Sequence, residues 1–541
     1  MRSKDENKIF SDNIEMNIKE EPPDDFFKCV KVSLKHVLKH YEINQSKINE
    51  TVIKANKIII HTLQFMKLYL LDFYNNHNTL PKIDKEFINS CMKILCNEKA
   101  TGRPPKKEIK ELKDKLKLFY NTHYKPLCQD EELDYTYMNT ILDYLTIDIL
   151  TMYENNIKQH YIDYVERYVN VVWKQKFMTN QIRKVKKTKK DREAGVKNLN
   201  TQLRKIKNDL LNIENNVYKS KSYYHQWIQE NHKLVVPNKE NFKKDNLYYD
   251  LQCNPQDYLS CMIYIMKYVE EQGFTTINPF PLRNDIIPKH IRLDTTTLVH
   301  LLMTKEQGNK TDYLFNGNLK RFEDKIWNFF FRTERQCFKK NWYSFHHMIE
   351  TDGISCSILL LRKDKVGKKV MVNKNTNREQ YIDELKDYSK LQDKNIVAVD
   401  PGKMDLLFCV DSSDTEANQY RYSQDRRRKE TKSKKYGKIF LEQKKTKVYD
   451  KTIIEWETEL SKYNRKTLKI EDFKQYCKKK NEMNYHLFKF YQKELYRKLK
   501  LNGYWNRLKS EQKLINQFKK IFGDEKETIV IFNDKIFLSL K

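Results

Sequence analysis

Glycine and proline are scarce in this sequence, with 11 glycines and 12 prolines among 541 residues. These two residue types mark turns and loops, so their scarcity predicts few connecting segments and a chain dominated by helix. Apolar runs of about 18 residues, the length needed to cross a bilayer as a helix, are also missing. The N-terminus MRSKDENKIF is charged where a secretory signal needs an apolar core. We therefore expect a soluble, intracellular protein without membrane segments.

Paired cysteines of the kind that hold structural zinc are missing as well. The ten cysteines contain no C-x-x-C pair and no evenly spaced framework, so scattered buried thiols are expected. Cys91 and Cys96 could bind zinc only with a distant histidine, and their C-x4-C spacing without a second pair is a weak signal. A structural zinc ion is not expected.

Charge is what the chain has in excess. The formal charge is +30, from 103 Lys and Arg against 73 Asp and Glu. A surplus of this size predicts a polyanionic partner, with nucleic acid as the first candidate and an anionic membrane surface as the second. With 39% hydrophobic residues the chain has enough apolar material for packed cores. Its length predicts about two to four domains.

The N-terminal half is predicted to be helical. Residues 1–25, which end in EEPPDD, are polar and are expected to form a disordered tail. From Phe26 to about Val236 apolar residues recur at three-and-four spacing. Between Val196 and Val217 this spacing is regular over three heptads. That stretch is either a coiled-coil dimer helix or, more simply, a helix packed on another helix of the same chain.

A dense run of cations precedes the heptad stretch. The segment NQIRKVKKTKKDR contains seven Lys and Arg among thirteen residues. A solvated helix face is one explanation, but cations facing a phosphate backbone account better for this density. The residues of the run predicted to bind nucleic acid are Arg183, Lys184, Lys186, Lys187, Lys189, Lys190 and Arg192. Further cations predicted to bind nucleic acid are Arg426, Arg427, Arg428, Arg497 and Lys498.

The middle of the chain is predicted to change character. A helix opens at Asn254-Pro255 and Gly273 closes it, after which three prolines between residues 279 and 288 exclude a long helix. The stretch WYSFHHMIETDGISCSILLLRKD then predicts a β-hairpin. Asp352, before Gly353 in that hairpin, is most simply a turn former.

The stretch NIVAVDPGKMDLLFCVD places one carboxylate at the end of a predicted strand. Val397 to Val399 suit a buried strand, Pro401-Gly402 ends it, and Leu406 to Val410 predicts a second strand that returns beside the first. Asp400 is therefore expected at a strand end. Its charge there needs compensation by backbone amides, a basic side chain or a metal ion.

The remaining elements extend this sheet. QYRYSQ at 419–424 predicts a third strand, so that three strands form a meander with an acid on the first. A ribonuclease-H-like nuclease core begins in this way, and such a core assembles carboxylates around Mg²⁺ for phosphodiester cleavage. The chain is then predicted to be helical from about Tyr449 to Phe522. ETIVIFND predicts a strand ending in Asp534 that re-enters the sheet.

Several stretches occur together in one order: PFPLRNDIIPKHIRLDT, FHHMIETDGIS, VAVDPGKMDLLFCVD, QYRYSQDRRR, ELYRKLKLNGYWNRLKSEQKLINQFKKIFG and TIVIFND. In order and approximate spacing they resemble the Fanzor family, the eukaryotic and large-DNA-virus relatives of the transposon-encoded TnpB nucleases. The match runs from about residue 240 to the end. The N-terminal half resembles the family in size and helical character.

The resemblance implies an RNA-guided DNA endonuclease of transposon origin with one RuvC-type site that uses Mg²⁺ or Mn²⁺. It implies guide RNA and target DNA as partners, a monomeric ribonucleoprotein, and a nuclear or viral-factory location. The implied fold is multidomain α+β: a helical recognition lobe at 26–240, a wedge-like β-containing module at 241–390, and an incomplete RuvC-like (RNase H-like) domain at 391–541 with a helical insertion at about 449–523. Base pairing reads the sequence in such proteins, so backbone contacts from abundant lysines suffice.

The resemblance also assigns the acids. Asp400 matches the first catalytic aspartate and metal ligand. The second acid is either Asp534 or a glutamate relocated into IIEWETELS, where Glu457 is the first choice, Glu459 the second, and Glu455 a third. Asp400, Glu457 and Asp534 are thus the predicted metal ligands. The alternative for the glutamates is that they are solvent-facing acids on an exposed helix.

The sequence ends seven residues after Asp534, where the family continues into a C-x-x-C zinc region and a helix with a third aspartate. Two carboxylates in place of three are expected to hold metal poorly, because Mg²⁺ sheds its waters reluctantly. We therefore expect nucleic-acid binding with weak or no cleavage. The alternatives are a catalytically inactive nucleic-acid-binding remnant and a helical scaffold whose charge serves protein or membrane contacts.

Overall fold

The structure, a computed structural model, describes residues 25–96, 106–128, 133, 138–213, 217–315, 317–368, 394–412, 416–524 and 528–532. The predicted tail, apart from Asp25, lies outside the described residues, and so does Asp534. The fold is of the mixed α+β class, with small sheets and a helical N-terminal region, as the sequence predicts.

The first sheet has four antiparallel strands. They are β1 (Phe27–Ser33), β2 (Ile291–Asp294), β3 (Tyr343–Thr351) and β4 (Ser355–Arg362). Their spatial order is β1-β4-β3-β2, and β3 and β4 form the predicted hairpin. Asp352 is confirmed as its turn former, because its carboxylate accepts hydrogen bonds from the backbone amides of Ile354 and Ser355 at 3.0 and 2.7 Å.

The prediction of helix from Phe26 onward was wrong at its start. Residues 27–33 form β1, which pairs with β4 from Phe27 opposite Leu361 to Ser33 opposite Ser355. The alternation Val30-Lys31-Val32 has the period of two that suits a strand. Its backbone partners are supplied by β4, which lies far away in the sequence and cannot be read from the local pattern.

Helices make up most of residues 34–271. They are α1 (Leu34–Val37), α2 (Tyr41–His77), α3 (Lys85–Leu95), α4 (Lys107–Phe119), α5 (Asn139–Val172), α6 (Gln175–Val185), α7 (Lys189–Leu210), α8 (His225–Val235), α9 (Leu247–Cys253) and α10 (Leu259–Glu271). A 3₁₀ turn that starts at Pro255 leads into α10, and Gly273, at φ +73°, follows its end. The predicted start and stop of this helix are therefore confirmed.

The heptad stretch forms α7, and its apolar stripe packs inside the chain. Leu203, Ile206 and Leu210 are buried, and the helix contacts α5, α6 and α8. The helix ends at Leu210, and Val217 is 60% exposed, so the buried stripe is shorter than the sequence pattern. Of the two interpretations, packing on helices of the same chain is the one that the structure supports.

The segment between α10 and β2 contains no helix over residues 274–290, all of which are described, as its prolines predict. Four short helices follow β2: α11 (Thr295–Leu302), α12 (Lys310–Leu314), α13 (Asn318–Arg321) and α14 (Glu323–Phe330). α14 contacts β3, and its Trp327 is fully buried in the main core. α11 contacts β2, so α11 and α14 both lie against the first sheet, whereas α12 packs on α11 and α13.

The second sheet contains the Asp400 strand. Its strands are β5 (Asn395–Asp400), β6 (Asp405–Asp411), β7 (Gln419–Ser423) and β10 (Thr528–Phe532), while β8 (Lys447–Val448) and β9 (Lys451–Thr452) form a separate small hairpin. The order is β10-β5-β6-β7, with an antiparallel meander and with β10 parallel to β5. The predicted meander and the predicted returning strand are both confirmed.

Five helices lie between β7 and β10. They are α15 (Gln424–Glu430), α16 (Ser433–Lys444), α17 (Ile453–Ser461), α18 (Ile470–Tyr491) and α19 (Glu494–Phe522). The C-terminal part of α19 covers one face of the second sheet, where Phe522 is buried with Val397 and Val399. The N-terminal part belongs to a separate cluster that includes Tyr496 and Trp456. α19 thus connects two distinct cores.

Candidate acidic site and nucleic-acid interface

Asp400 is the last residue of β5. Val397 and Val399 are buried under α19, and strand alternation therefore places Asp400 on the opposite, open face. The turn that follows is tight, since the Gly402 amide donates to the Asp405 carbonyl at 2.8 Å. A Cβ at Gly402 would lie 2.7 Å from that oxygen, so only glycine permits this approach. The turn fixes Asp400 at the rim of the sheet.

The carboxylate of Asp400 is exposed and has no hydrogen-bond or ion-pair partner among the residues that the structure describes. Across the sheet it is opposite Phe408, which is in turn opposite Arg421. The Arg421 side chain donates to Asp405 at 2.5 Å, and this bond raises the pKa of Arg421. The charge of Asp405 is therefore balanced by Arg421, whereas Asp400 remains open to a ligand.

Glu457 lies apart from Asp400. Its carboxylate accepts hydrogen bonds from the Lys444 ammonium, at 2.7 Å, and from the Tyr491 hydroxyl. Tyr491 is the last residue of α18 and its ring contacts Tyr496 in the first turn of α19, whereas β7 hydrogen-bonds to α19 at Ser510. Sixteen residues separate the first residue of α19 from Ser510, about 24 Å at 1.5 Å per residue. Glu457 therefore lies beside the start of α19, whereas the sheet that carries Asp400 lies beside its C-terminal half.

The other two glutamates of α17 have structural partners. Glu459 accepts from Lys479 and Lys451 at 2.6 and 2.9 Å, and these ammonium groups lower the pKa of Glu459 to about 2. Glu455 closes a capping box with Thr452 at the start of the helix. Their partners belong to β9 and α18. These acids are paired residues of a helix, which is closer to the simpler alternative than to a relocated catalytic glutamate.

A pair of Mg²⁺ ions requires several oxygen ligands in one place. Among the described residues there is no group of three or more His, Cys, Asp or Glu side chains placed to hold a metal ion. Asp534, the remaining predicted ligand, lies outside the described residues. Cys91 and Cys96 are buried in the helical core. Of the three predicted metal ligands, Asp400 is an open carboxylate and Glu457 is paired in the part of the chain that the structure describes.

The predicted cation run forms the tip of a helical hairpin. α6 and α7 pack on each other, and the tip between them carries the seven predicted cations, all exposed. We call Arg183, Lys184, Lys186, Lys187, Lys189, Lys190 and Arg192 the basic tip. Thr188 caps α7, because its hydroxyl oxygen accepts a hydrogen bond from the Asp191 backbone amide at 3.1 Å. The tip is thus ordered by its backbone and presents its charges outward.

The charges of the basic tip are not neutralised within the described part of the chain. None of the seven side chains forms an ion pair there; Arg192 donates only to the Lys186 carbonyl, at 2.7 Å. Lys189 and Lys190 lie in the first turn of α7, the end at which the helix dipole disfavours cations by roughly 0.3–1 kcal/mol each. The fold gains nothing from these positions, which favours an external anion as their partner.

Two of the other predicted cations are engaged inside the protein. Arg497, predicted to bind nucleic acid, is fully buried and donates to Asn49 and to two backbone carbonyls, so the structure places its guanidinium inside the fold. Arg426 is partly buried, donates to Glu430 at 3.2 Å and also to Gln517, and is likewise structural. Arg427, Arg428 and Lys498 are exposed, the last within 2.7 Å of Glu494.

A groove beside the basic tip was missed by sequence reasoning. It has a volume of about 970 Å³ and lies between α5, α6 and α7, and we call it the α5–α7 groove. In addition to tip residues it is lined by Lys197, Arg204 and Lys207. A signal was available, because these cations follow one another along α7 at helical spacing beside the apolar Val196 and Leu203.

Comparison with known proteins gives one partial match. A family model described as a domain of unknown function (DUF8286) matches residues 291–362, the segment that spans β2, α11 to α14, β3 and β4. Among curated proteins none matches the chain significantly. No helix in the described ranges is long and apolar enough to cross a membrane.

Proposed function

We propose that the protein binds nucleic acid through the basic tip, and that it does so as an RNA-guided DNA endonuclease of the Fanzor type whose cleavage is weak. The basic tip is the observation that carries the proposal. Its seven exposed cations lie within ten residues and have no acid as a partner among the described residues. A polyanion accounts for this arrangement, since each phosphate contact releases counterions and favours binding.

The second sheet supports the nuclease part of the proposal. It has an antiparallel meander, a strand parallel to the first strand, and an unpaired acid at the end of that first strand. This is the order expected of a ribonuclease-H-like core. The assignment to the RuvC type, the guide RNA and the target DNA rest on the sequence resemblance.

Neutralising the basic tip is expected to weaken RNA binding at least tenfold at 0.1 M salt. The variant is K186Q/K187Q/K189Q/K190Q, measured by fluorescence anisotropy with an RNA transcribed from the protein's own locus. For each phosphate contact that is lost, the slope of log K against log salt should become shallower by about 0.7 to 0.9. The matched control removes four exposed lysines from α4, K107Q/K110Q/K115Q/K117Q.

The control variant has the same net charge as the tip variant, so it separates local contact from a general loss of charge. Equal losses in both variants would contradict binding at the tip. RNA binding by the wild-type protein that does not fall with salt would instead favour the scaffold alternative.

Asp400→Asn is expected to leave thermal stability and RNA affinity unchanged and to abolish any Mg²⁺-dependent nicking. The side chain is exposed and unpaired, and substitutions of that kind change stability by about 0.5 kcal/mol or less. A nicking assay with guide RNA and Mg²⁺ or Mn²⁺ tests the activity, for which we expect weak or no cleavage by the wild-type chain. Robust guide-dependent cleavage that D400N abolishes would show that another acid completes the site. A large fall in stability would instead assign Asp400 a structural role.

A further inference from the structure

The α5–α7 groove has rigid walls. Gln175, in the first turn of α6, donates to Asn200 of α7 at 3.2 Å, and this bond joins the two helices at the groove. Nearer the tip the helices approach closely, because a Cβ at Gly195 would lie 2.8 Å from Cγ2 of Ile182. The floor includes the side chains of Val169 and Leu203, both buried. The groove is therefore a feature of packed helices rather than of a loop.

The groove is strongly positive. Six cations line it against two acids, Glu166 and Glu193, which gives a net charge of +4. Only Lys207 is paired with one of these acids, at 2.8 Å from Glu166, among the described residues. The cations in the lining are Arg183, Lys189, Arg192, Lys197, Arg204 and Lys207. Four of them, at 183, 189, 197 and 204, have no hydrogen-bond or ion-pair partner in the part of the chain that the structure describes.

The dimensions of the groove select a thin ligand. Eighteen residues of α7 separate Lys189 from Lys207, about 27 Å along the helix. A volume of about 970 Å³ over that length leaves a mean cross-section of about 36 Å². An opening of that area is narrower than the major groove of a duplex, which alone is about 12 Å wide, so a duplex cannot enter. One strand fits, and about eight phosphates at the 3.4 Å spacing of a stacked strand span the length.

We propose that the α5–α7 groove binds single-stranded nucleic acid, with phosphates along the unpaired cations. This inference rests on the proposed nucleic-acid binding and adds the strandedness and the path of the ligand. Binding of this kind combines a positive groove that follows the backbone with tolerance of sequence. The groove leaves the duplex regions of a longer RNA to the four lysines of the basic tip that do not line it.

The first experiment removes charge from the groove and from a matched surface of the same hairpin. The groove variant is K197Q/R204Q and the control is K176Q/K205Q, both pairs being exposed but only the first lining the groove. Fluorescein-labelled 12-nucleotide oligouridylate and oligothymidylate are the single-stranded probes, and an RNA stem-loop of equal charge is the duplex probe. Anisotropy titrations from 0.05 to 0.3 M salt give affinity and slope.

The groove variant should lose about 25-fold in affinity for the single strands at 0.1 M salt, because each lost contact removes a factor of about 10 to the power 0.7 there. Its slope should become shallower by about 1.4. The control should change by less than about fivefold, as one contact or fewer is at stake. Equal losses in the two variants, or an equal loss for the stem-loop, would overturn the proposal.

The second experiment fills the groove and leaves its charges in place. T201W puts a large ring into the lining, while N198W puts the same ring on the exposed face of the same helix. The loss of the Thr201 hydroxyl removes only a bond to the Lys197 carbonyl of its own helix. We expect T201W to weaken oligouridylate binding at least tenfold and N198W to leave it unchanged. Circular dichroism checks that both variants keep their helices.

The outcomes separate this inference from the function on which it rests. Wild-type protein that binds no RNA in a salt-dependent manner would overturn both. Wild-type binding that T201W and K197Q/R204Q leave intact would overturn only the groove. A polyglutamate peptide is the competitor, used at the same concentration of charge as an unlabelled oligonucleotide. If the peptide displaces the probe as well as the oligonucleotide does, the groove is assigned to acidic proteins and the proposal is overturned.

Discussion

Replacing Arg497 by methionine is expected to lower the free energy of unfolding by about 4 kcal/mol. The guanidinium is fully buried and donates to Asn49 of α2 at 2.6 Å, to the Asp352 carbonyl of the β3–β4 turn at 2.5 Å and to the Gln492 carbonyl at 2.8 Å. Methionine fills similar space but leaves these acceptors without a donor. A hydrogen bond to a charged group contributes about 1.5–3 kcal/mol, and each orphaned buried acceptor costs about 1–3 kcal/mol.

The neighbouring residue provides the control for R497M. Lys498 is exposed on the same helix turn and, within the described part of the chain, pairs only with Glu494 across one turn, so K498M should change stability by about 0.5 kcal/mol or less. Urea denaturation followed by tryptophan fluorescence measures both variants. A stability of R497M within 1 kcal/mol of the wild type would mean that the Arg497 bonds are replaced by water and that the residue is not a structural anchor.

Between pH 7 and pH 10 the wild-type protein is expected to gain about 3 kcal/mol of stability relative to Lys67→Met. Lys67 is fully buried, and desolvation lowers the pKa of its ammonium from 10.5 to about 7. Its nitrogen lies 3.1 Å from the Asn278 side-chain oxygen and 2.9 Å from the Arg465 carbonyl, two acceptors that a neutral amine can also satisfy. The folded chain therefore keeps Lys67 neutral over a range in which the unfolded chain protonates it.

The direction of the Lys67 effect follows from proton counting. Between pH 7 and 10.5 the unfolded state binds one more proton than the folded state, so stability rises with pH in this window. Below pH 7 the folded and the unfolded state both carry the proton, and the full cost of burying the charged ammonium remains. The difference between wild type and K67M isolates this contribution from the tyrosines and cysteines that also titrate.

Urea denaturation at pH 7, 8, 9 and 10 measures the Lys67 effect. K85M, which removes an exposed lysine from α3, is the control and should follow the wild type at every pH. If the wild type and K67M differ by the same amount at pH 7 and at pH 10, Lys67 is charged in the fold across the range, and the described packing around it is incorrect.

Local patterns in the sequence predicted the elements that depend on neighbouring residues. The meander β5-β6-β7 follows from apolar runs broken by Pro401-Gly402, and the β3–β4 hairpin follows from alternation around a turn that contains Asp352. Each signal lies within about thirty residues of chain or fewer, so no tertiary information is needed to see it.

The misses all depend on residues that are distant in the sequence. A charged residue at helical spacing is expected at the surface, yet Arg497 is buried because Asn49 and the Asp352 carbonyl meet it from two other elements. Glu457 looked available as a metal ligand until folding brought Lys444 and Tyr491 to it. No local pattern encodes such partners, and so the second metal ligand was the least predictable part of the candidate site.

The pairing of β1 with β4 sets an order of events during synthesis of the chain. Phe27 leaves the ribosome 334 residues before its partner Leu361. At about 5–20 residues per second, β1 waits roughly 15–70 s with its backbone groups unpaired, while the helices that follow it can already collapse around their own apolar faces. An unpaired strand is prone to wrong pairing with other chains. The first element among the described residues therefore finds its partner only after about two thirds of the chain has been made, and slow translation ahead of residue 361 prolongs the interval in which nascent chains can aggregate.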